Sequence, residues 1–406
     1  MMNGRYSILA AVMTLSLGAA ATTNYMAAAL SPYAGSGALP GAVSVLVSGE
    51  REEIACLGYA DYATKRPITL DSTFMQCSQT KGFCGVTMAK LIEEGKVGLD
   101  DPVAKYLPEF QRLWVKTSET NGVMTLKEAE HALTIRMCLN HTGGFPFECS
   151  AKNPAIRGGG WSGGAPIRQV AAIAAASPLL FEPGTSCQYS NTGIDIAAAV
   201  IETVTGMRWE DYLQASVLDP LGMKDTTFWP TAEQLSRQIE FYELVPGGEP
   251  VYVYERDWQQ RPYNDRHVFA SAGAGLWTTV RDQLRFYRML MNLGLGDNGV
   301  RILGEETVRK YLAASTRAPE LMAKFGGYSM GLAVTGEGTE DSWFGHGGAW
   351  GTNCMVNYRR KELKLWVWQY CGGQAGWGAE KDAAEKAFFA EELANASADE
   401  YTGRTE

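Results

Sequence analysis

Cys77-Ser78-Gln79-Thr80-Lys81-Gly82-Phe83-Cys84-Gly85-Val86-Thr87-Met88-Ala89 is the stretch on which the reading of this chain turns. Residues from about Gln79 to Glu94 predict a helix closed by Gly95, whose freedom at positive φ suits a helix end. Positions i and i+3 share a helix face, so the Ser78 hydroxyl at the helix mouth and the Lys81 amine point the same way. A serine hydroxyl is a weak nucleophile at neutral pH, and a lysine within reach can act as its base once it is uncharged. Gly82, Gly85 and Ala89 keep that face small, so that other elements can close over the pair. A Ser-x-x-Lys tetrapeptide arises by chance about once in a chain of this size, so the motif needs partners.

Upstream, Ala42–Ser48 and Glu53–Tyr59 flank Gly49 and read as a β-hairpin. Downstream, from about Tyr106 to Tyr254, the pattern is helix and loop, with helical runs at Ile167–Ala176, Gly193–Val204 and Trp209–Val217 and few strand signals. Extended apolar stretches return at Ser329–Val334, Asn353–Tyr358 and Leu363–Tyr370. Strands at both ends with helices between predict a mixed α/β (α+β) fold: an antiparallel sheet built from the N- and C-terminal strands, flanked by helices, with a mostly helical subdomain inserted. The boundaries are a signal peptide at 1–21, a linker at 22–38, one domain at 39–393 and a polar, frayed tail at 394–406. Within the domain, 39–75 and 260–393 form the sheet subdomain and 76–259 the helical one.

The 406 residues are 46% hydrophobic and 20% charged, enough apolar material for one large core or two joined ones, which excludes disorder. A net charge of −9 without a long basic run argues against nucleic acid and against an anionic membrane surface. Arg5 followed by the apolar run Ile8–Ala21 has the layout of a secretory signal, too short to span a bilayer, so the expectation is export without a stable anchor. Eight cysteines then make disulfides feasible without selecting a pairing. Cys77 and Cys84, two helical turns apart, are too distant to bridge. Histidines His131, His141, His267 and His346 lack metal-binding spacing, so no zinc site is expected.

Two more segments offer chemistry. In Phe181–Asn191 a Pro183-Gly184 turn brings Tyr189 and Asn191 just ahead of a helix. A tyrosine hydroxyl can relay a proton and an asparagine amide can hold a carbonyl, the alternatives being a half-buried ring and a helix cap. In Trp343-Phe344-Gly345-His346-Gly347-Gly348-Ala349, glycines beside a strand allow close approach of a ligand, and exposed strand N–H groups can stabilise an oxyanion; the alternative is a structural histidine in a glycine-rich connection.

Ser78-x-x-Lys81, Tyr189-Ser-Asn191 and His346-Gly-Gly348, in this order, resemble the serine β-lactamase and penicillin-recognising superfamily, specifically its class C-like branch with family VIII-type esterases and D-aminopeptidases. Leu39-Pro-Gly-Ala-Val, Gly58-Tyr-Ala-Asp61, Glu94–Pro102, Leu139-Asn-His-Thr-Gly-Gly144, Asp219-Pro-Leu-Gly-Met223 and Ala272-Gly-Ala-Gly-Leu276 extend the resemblance over about Leu39 to Gln369. It implies an active site between sheet and helical subdomain, an acyl-enzyme on Ser78, proton transfer by Lys81 and Tyr189, an acyl group oriented by Asn191, an oxyanion hole of the Ser78 and Ala349 N–H groups beside Gly348, and no metal or organic cofactor. Where β-lactamases of this family carry lysine, this chain has His346, mostly neutral at pH 7. That favours ester or D-amino-acid amide substrates over β-lactams and D-alanyl-D-alanine peptides. Trp161, Trp350 and Trp377 are expected to border the cleft and suit an apolar acyl or aryl group.

Gly160-Trp161-Ser162-Gly163-Gly164 fits the nucleophile elbow of another hydrolase fold, but Lys152–Arg157 supplies no strand before it, and the dinucleotide fingerprint at Gly158 fails for the same reason. A non-catalytic binding or assembly module remains the alternative of another class. Retention of Ser78, Lys81 and Tyr189 argues against it.

Overall fold

The computed structural model describes residues 24–147, 165–244, 250–252, 268–368, 370–372 and 377–402. The signal-like segment and the Gly158–Gly164 loop with Trp161 and Ser162 lie outside the described residues. Strands β1 (Gly41–Ser48), β2 (Arg51–Asp61) and β3 (Arg66–Pro67) come from the start of the chain. The end of the chain supplies β4 (Gly327–Tyr328), β5 (Ala333–Thr335), β6 (Trp343–Gly348), β7 (Thr352–Asn357) and β8 (Glu362–Val367). They form one antiparallel sheet in the order β4-β5-β6-β7-β8-β1-β2-β3. The hairpin turns at Gly49, φ +57°, and β1 pairs on its other side with β8, Val43 opposite Val367.

β1 is buried along its whole length because both sheet faces are covered. Its alternate residues divide between two cores, as the two-residue period of a strand requires. Val43, Val45 and Val47 enter the main core, whereas Ala42 and Leu46 join Met26, Leu30, Trp377 and Phe388 beneath helices α1 (Tyr25–Leu30) and α6 (Gly378–Thr402). On the main-core side lie α2 (Thr80–Glu93), α3 (Ile167–Ala175), α4 (Asn191–Thr205) and α5 (Val280–Met291). Phe83 of α2 stacks on Phe286 of α5 with ring centres 3.7 Å apart.

The small face of α2 is covered as its glycines suggest. A Cβ at Gly82 would meet the Leu332 side chain, and one at Gly85 would fall on the Met330 carbonyl oxygen. Because the obstacle at Gly85 is backbone, Gly85→Ala is expected to cost about 3 kcal/mol or more by forcing α2 away from the Ser329–Leu332 segment. Denaturant unfolding checks this, and a change within about 0.5 kcal/mol would refute the packing argument.

Four features of the fold outside the candidate site depart from the sequence reading. The middle block carries an exposed hairpin, Trp114–Thr120 with Val123–Glu128, turning on Asn121 (φ +50°) and Gly122 (φ +77°). A further small sheet pairs Tyr242–Leu244 with Val251–Tyr252 and with Tyr370–Gly372. Helix α6 runs on to Thr402, through the polar residues from Ala394 that read as a frayed tail. Trp377 does not border the cleft: it is 4% exposed, donates its indole N–H to the Ala38 carbonyl and meets Trp368 edge-on in the core under α1 and α6.

Candidate active site

The chain enters α2 through a tight 3-10 turn at Cys77–Gln79, with Cys77 at φ +50°. Ser78 stays partly exposed while its neighbours are buried. Lys81, one turn on, is fully buried. Its Nζ lies 3.2 Å from Ser78 Oγ, 2.6 Å from Asn191 Oδ1 and 2.7 Å from the Gly273 carbonyl oxygen. The neighbouring thiol of Cys77 is pushed up to about 12 by burial, so it does not compete as a nucleophile. It and Cys84 are free thiols, as are Cys56, Cys138, Cys187 and Cys354.

Tyr189 and Asn191 are placed by the start of α4. The cap is Ser190, not Asn191: its Oγ accepts from the Gly193 N–H at 3.2 Å and donates to the Pro146 carbonyl at 2.8 Å. Asn191, in the first turn, is thereby free to face Lys81. One turn further, the buried Asp195 carboxylate accepts from the Ala272 and Gly273 N–H groups at 2.8 and 3.2 Å, fixing the loop whose carbonyl meets Lys81. Gly273 must be glycine there, since a Cβ would lie 2.7 Å from Asn191 side-chain atoms. The Tyr189 ring centre is 4.5 Å from Lys81 Nζ. Burial raises its phenol above the ordinary range, opposed by a hydrogen bond with Ser78.

His346 and Gly348 lie within strand β6, in the interior of the sheet, rather than in a connection ahead of the strand. The buried Gln79 amide donates to the His346 carbonyl at 3.1 Å and accepts from Gln283 at 2.6 Å, tying β6 to the turn that carries Ser78. His346 Nε2 is 2.9 Å from the Tyr328 hydroxyl, and its Nδ1 meets the Gly347 carbonyl. Burial lowers the imidazole to about 3, with Lys81 adding to the shift whenever it is protonated, so His346 is neutral at working pH. Gly348 packs on the Gln76 carbonyl, where a side chain would not fit. Ala349 follows, exposed, in the turn to β7, and Trp350 beyond it is buried rather than lining open space.

Sequence reasoning missed two residues as parts of the site. The His141 ring centre lies 4.5 Å from that of Tyr189 and 4.5 Å from that of Tyr328. Its Nδ1 accepts from the Ser190 N–H at 3.3 Å and its carbonyl from the Gln188 N–H at 3.0 Å, so this histidine steadies the segment that presents Tyr189. Burial foremost, then the neighbouring cationic side chains of Lys81 and Arg317, hold its pKa well below the usual range. Its only sequence signal was its place in Leu139–Gly144. Tyr328, buried at the start of the sheet's last strands, had none. Phe147, half-exposed, stacks on Tyr189 with ring centres 6.0 Å apart. Among the described residues no His, Cys, Asp and Glu cluster is arranged to hold a metal ion.

The Beta-lactamase family model matches residues 24–367. Protein Rv1367c of Mycobacterium tuberculosis (strain ATCC 25618 / H37Rv) is 31% identical over 276 residues, 67% of this chain and 67% of that protein. Esterase EstB of Burkholderia gladioli is 29% identical over 269 residues, 61% of this chain and 64% of its own. Among solved structures, that of EstCE1, a hydrolase with promiscuous acyltransferase activity, matches with a TM-score of 0.70 at 22% identity, covering 89% of this chain and 98% of that one. With a match that spans most of its length, this chain belongs to the Beta-lactamase family and is a serine hydrolase.

Proposed function

We propose that this protein is an exported hydrolase that cleaves carboxylic esters or D-amino-acid amides through an acyl-enzyme on Ser78. The observation that carries this reading is the position of Lys81 Nζ between Ser78 Oγ, Asn191 Oδ1 and the Gly273 carbonyl. As a free amine, Lys81 donates its two hydrogens to the latter two and turns its lone pair to the serine hydroxyl. Ser78 Oγ then attacks the substrate carbonyl carbon as its proton passes to Lys81. The oxyanion of the tetrahedral intermediate is held by the Ser78 and Ala349 N–H groups beside Gly348. Tyr189, kept as a neutral phenol by burial, gives its proton to the departing alcohol or amine and is reprotonated from Lys81. Asn191 orients the acyl group. Water adds to the ester intermediate by the reverse proton path and releases the acid, so the cycle consumes only substrate and water.

The His346 position selects among substrates. A neutral imidazole engaged by the Tyr328 hydroxyl and the Gly347 carbonyl offers no fixed charge to a substrate carboxylate. This disfavours β-lactams and peptides ending in free D-alanine. Phe147, half-exposed against Tyr189, gives the cleft an apolar aromatic wall suited to an acyl or aryl group. A non-catalytic module fits poorly with a buried amine held against a partly exposed serine, because burying an amine is costly.

The test is side-by-side hydrolysis of a short-chain aryl ester, a D-amino-acid anilide, a D-alanyl-D-alanine peptide and a cephalosporin. One of the two substrates without a carboxylate is expected to exceed both carboxylates in kcat/KM by at least about 100-fold, roughly the worth of one charge-assisted contact. Faster turnover of the cephalosporin or the peptide would reverse the ranking.

A further inference from the structure

Backbone normally reserved for glycine occurs on both sides of the oxyanion site. Cys77, immediately before Ser78, has φ +50°, and Trp350, immediately after Ala349, has φ +68°. Such conformations in residues with large side chains persist only where the surroundings hold them. Both side chains are buried, at 2% and 6% exposure, and both belong to one small apolar cluster with Met75, Phe241 and Trp277, separate from the two cores that flank the sheet. Phe241 meets Trp350 edge-on, with ring centres 5.3 Å apart at 88°. The next residue, Gly351, has φ +74° and stands so close to the Trp368 indole that a Cβ would overlap it. The turn Ala349–Gly351 therefore packs against the Trp368 indole while its own Trp350 indole is anchored in the apolar cluster. Its other end is fixed as well: Gly348 lies on the Gln76 carbonyl, which accepts from Thr352 Oγ1 at 3.3 Å.

We propose that Trp350 is a positioning residue: its indole, backed by Phe241, sets the turn that aims the Ala349 N–H relative to the Cys77–Ser78 peptide. This rests on the acyl-enzyme reading above. A pair of N–H donors stabilises a developing oxyanion only when both are fixed before the charge appears, since reorienting a donor during the reaction uses up the gain. The cluster reaches the two donors from opposite sides, through Cys77 and through Trp350, and so couples their positions. Glycine would suit the φ at position 350. Tryptophan is tolerated there because its ring is captured, and that capture is what fixes the turn.

The experiment measures kcat and KM for 4-nitrophenyl acetate, affinity for phenylboronic acid and thermal unfolding in Trp350→Ala, Trp350→Phe and Phe241→Leu, with Ser78→Ala as control. The boronate forms a tetrahedral adduct on the serine and places an oxygen in the same hole. For Trp350→Ala, kcat is expected to fall about 100-fold with KM within about threefold, and boronate affinity to fall in step. Trp350→Phe is expected to recover to within about tenfold of the parent. An unchanged kcat, a loss of kcat without a loss of boronate affinity, or a loss that follows thermal stability and is not recovered by phenylalanine overturns the proposal. If Trp350→Ala does not fold, Phe241→Leu decides, because leucine fills much of the volume while withdrawing the ring behind the indole. Lowered kcat at constant KM supports the proposal and unchanged kcat overturns it. Hydrolysis that survives Ser78→Ala refutes the acyl-enzyme reading itself and the proposal with it, a result distinct from any of the Trp350 outcomes.

Discussion

Exchange of Ser78 for alanine is expected to lower ester hydrolysis by about 10⁴-fold or more and to abolish covalent labelling by a fluorophosphonate. The magnitude follows from what remains. Lys81, Tyr189 and the backbone donors still surround a bound substrate, but without an oxygen nucleophile no ester intermediate forms, and water must attack directly. The fold should tolerate the change, since Ser78 is partly exposed and contributes one hydroxyl to the local network. Ser162→Ala, the rival nucleophile of the elbow-like motif, is expected to keep both activities. Labelling that persists in Ser78→Ala and disappears in Ser162→Ala would transfer the chemistry to the other serine.

Lys81→Met removes the amine while keeping an unbranched chain of similar length in a fully buried position. Acylation is expected to slow by about 10³-fold or more, because the serine proton then has no acceptor at 3.2 Å and Asn191 loses the donor that orients it. Lys81→Arg is expected to be no better: a guanidinium keeps its charge at every working pH and cannot take the proton. The rate of fluorophosphonate labelling and pre-steady-state ester hydrolysis report this step directly. Acylation within about tenfold of the parent in Lys81→Met would remove lysine from the mechanism and leave Tyr189 as the candidate base.

How much of this site can be read from sequence depends on how far apart along the chain its contacts lie. Ser78 and Lys81 are legible because helix geometry alone fixes an i, i+3 pair. The Tyr189-Ser190-Asn191 segment is nearly so, since Pro183-Gly184 and a serine cap announce a helix start, though only the structure shows that Ser190 caps and Asn191 turns inward. His141 and Tyr328 are illegible by the same standard. Their roles arise from packing between the loop after Leu139 and the first strand of the C-terminal group, which no local pattern encodes.

The fold follows a similar rule. The valines of β1 announce a strand with both faces buried, whereas β6 is rich in glycine and owes its strand geometry to the neighbours it pairs with. The hairpin at Trp114–Glu128 had a usable signal in Asn121-Gly122. Its strands are almost wholly exposed, so they carry no apolar alternation to accompany that turn.

The pairing of β1 with β8 has a consequence for how the molecule comes into being. Val43 and Val367 are partners, so a central strand must wait for residues far later in the chain before one of its edges is satisfied. Contacts of such sequence separation close late and slow folding. Until then β1 presents a row of unpaired peptide groups flanked by valine and leucine, the kind of edge that recruits another chain. Assembly of the proposed active site, which draws on Ser78, Tyr189 and His346, is coupled to that late closure. A chain cut before β8 is therefore expected to be both inactive and prone to aggregate, so that activity itself would report completed folding.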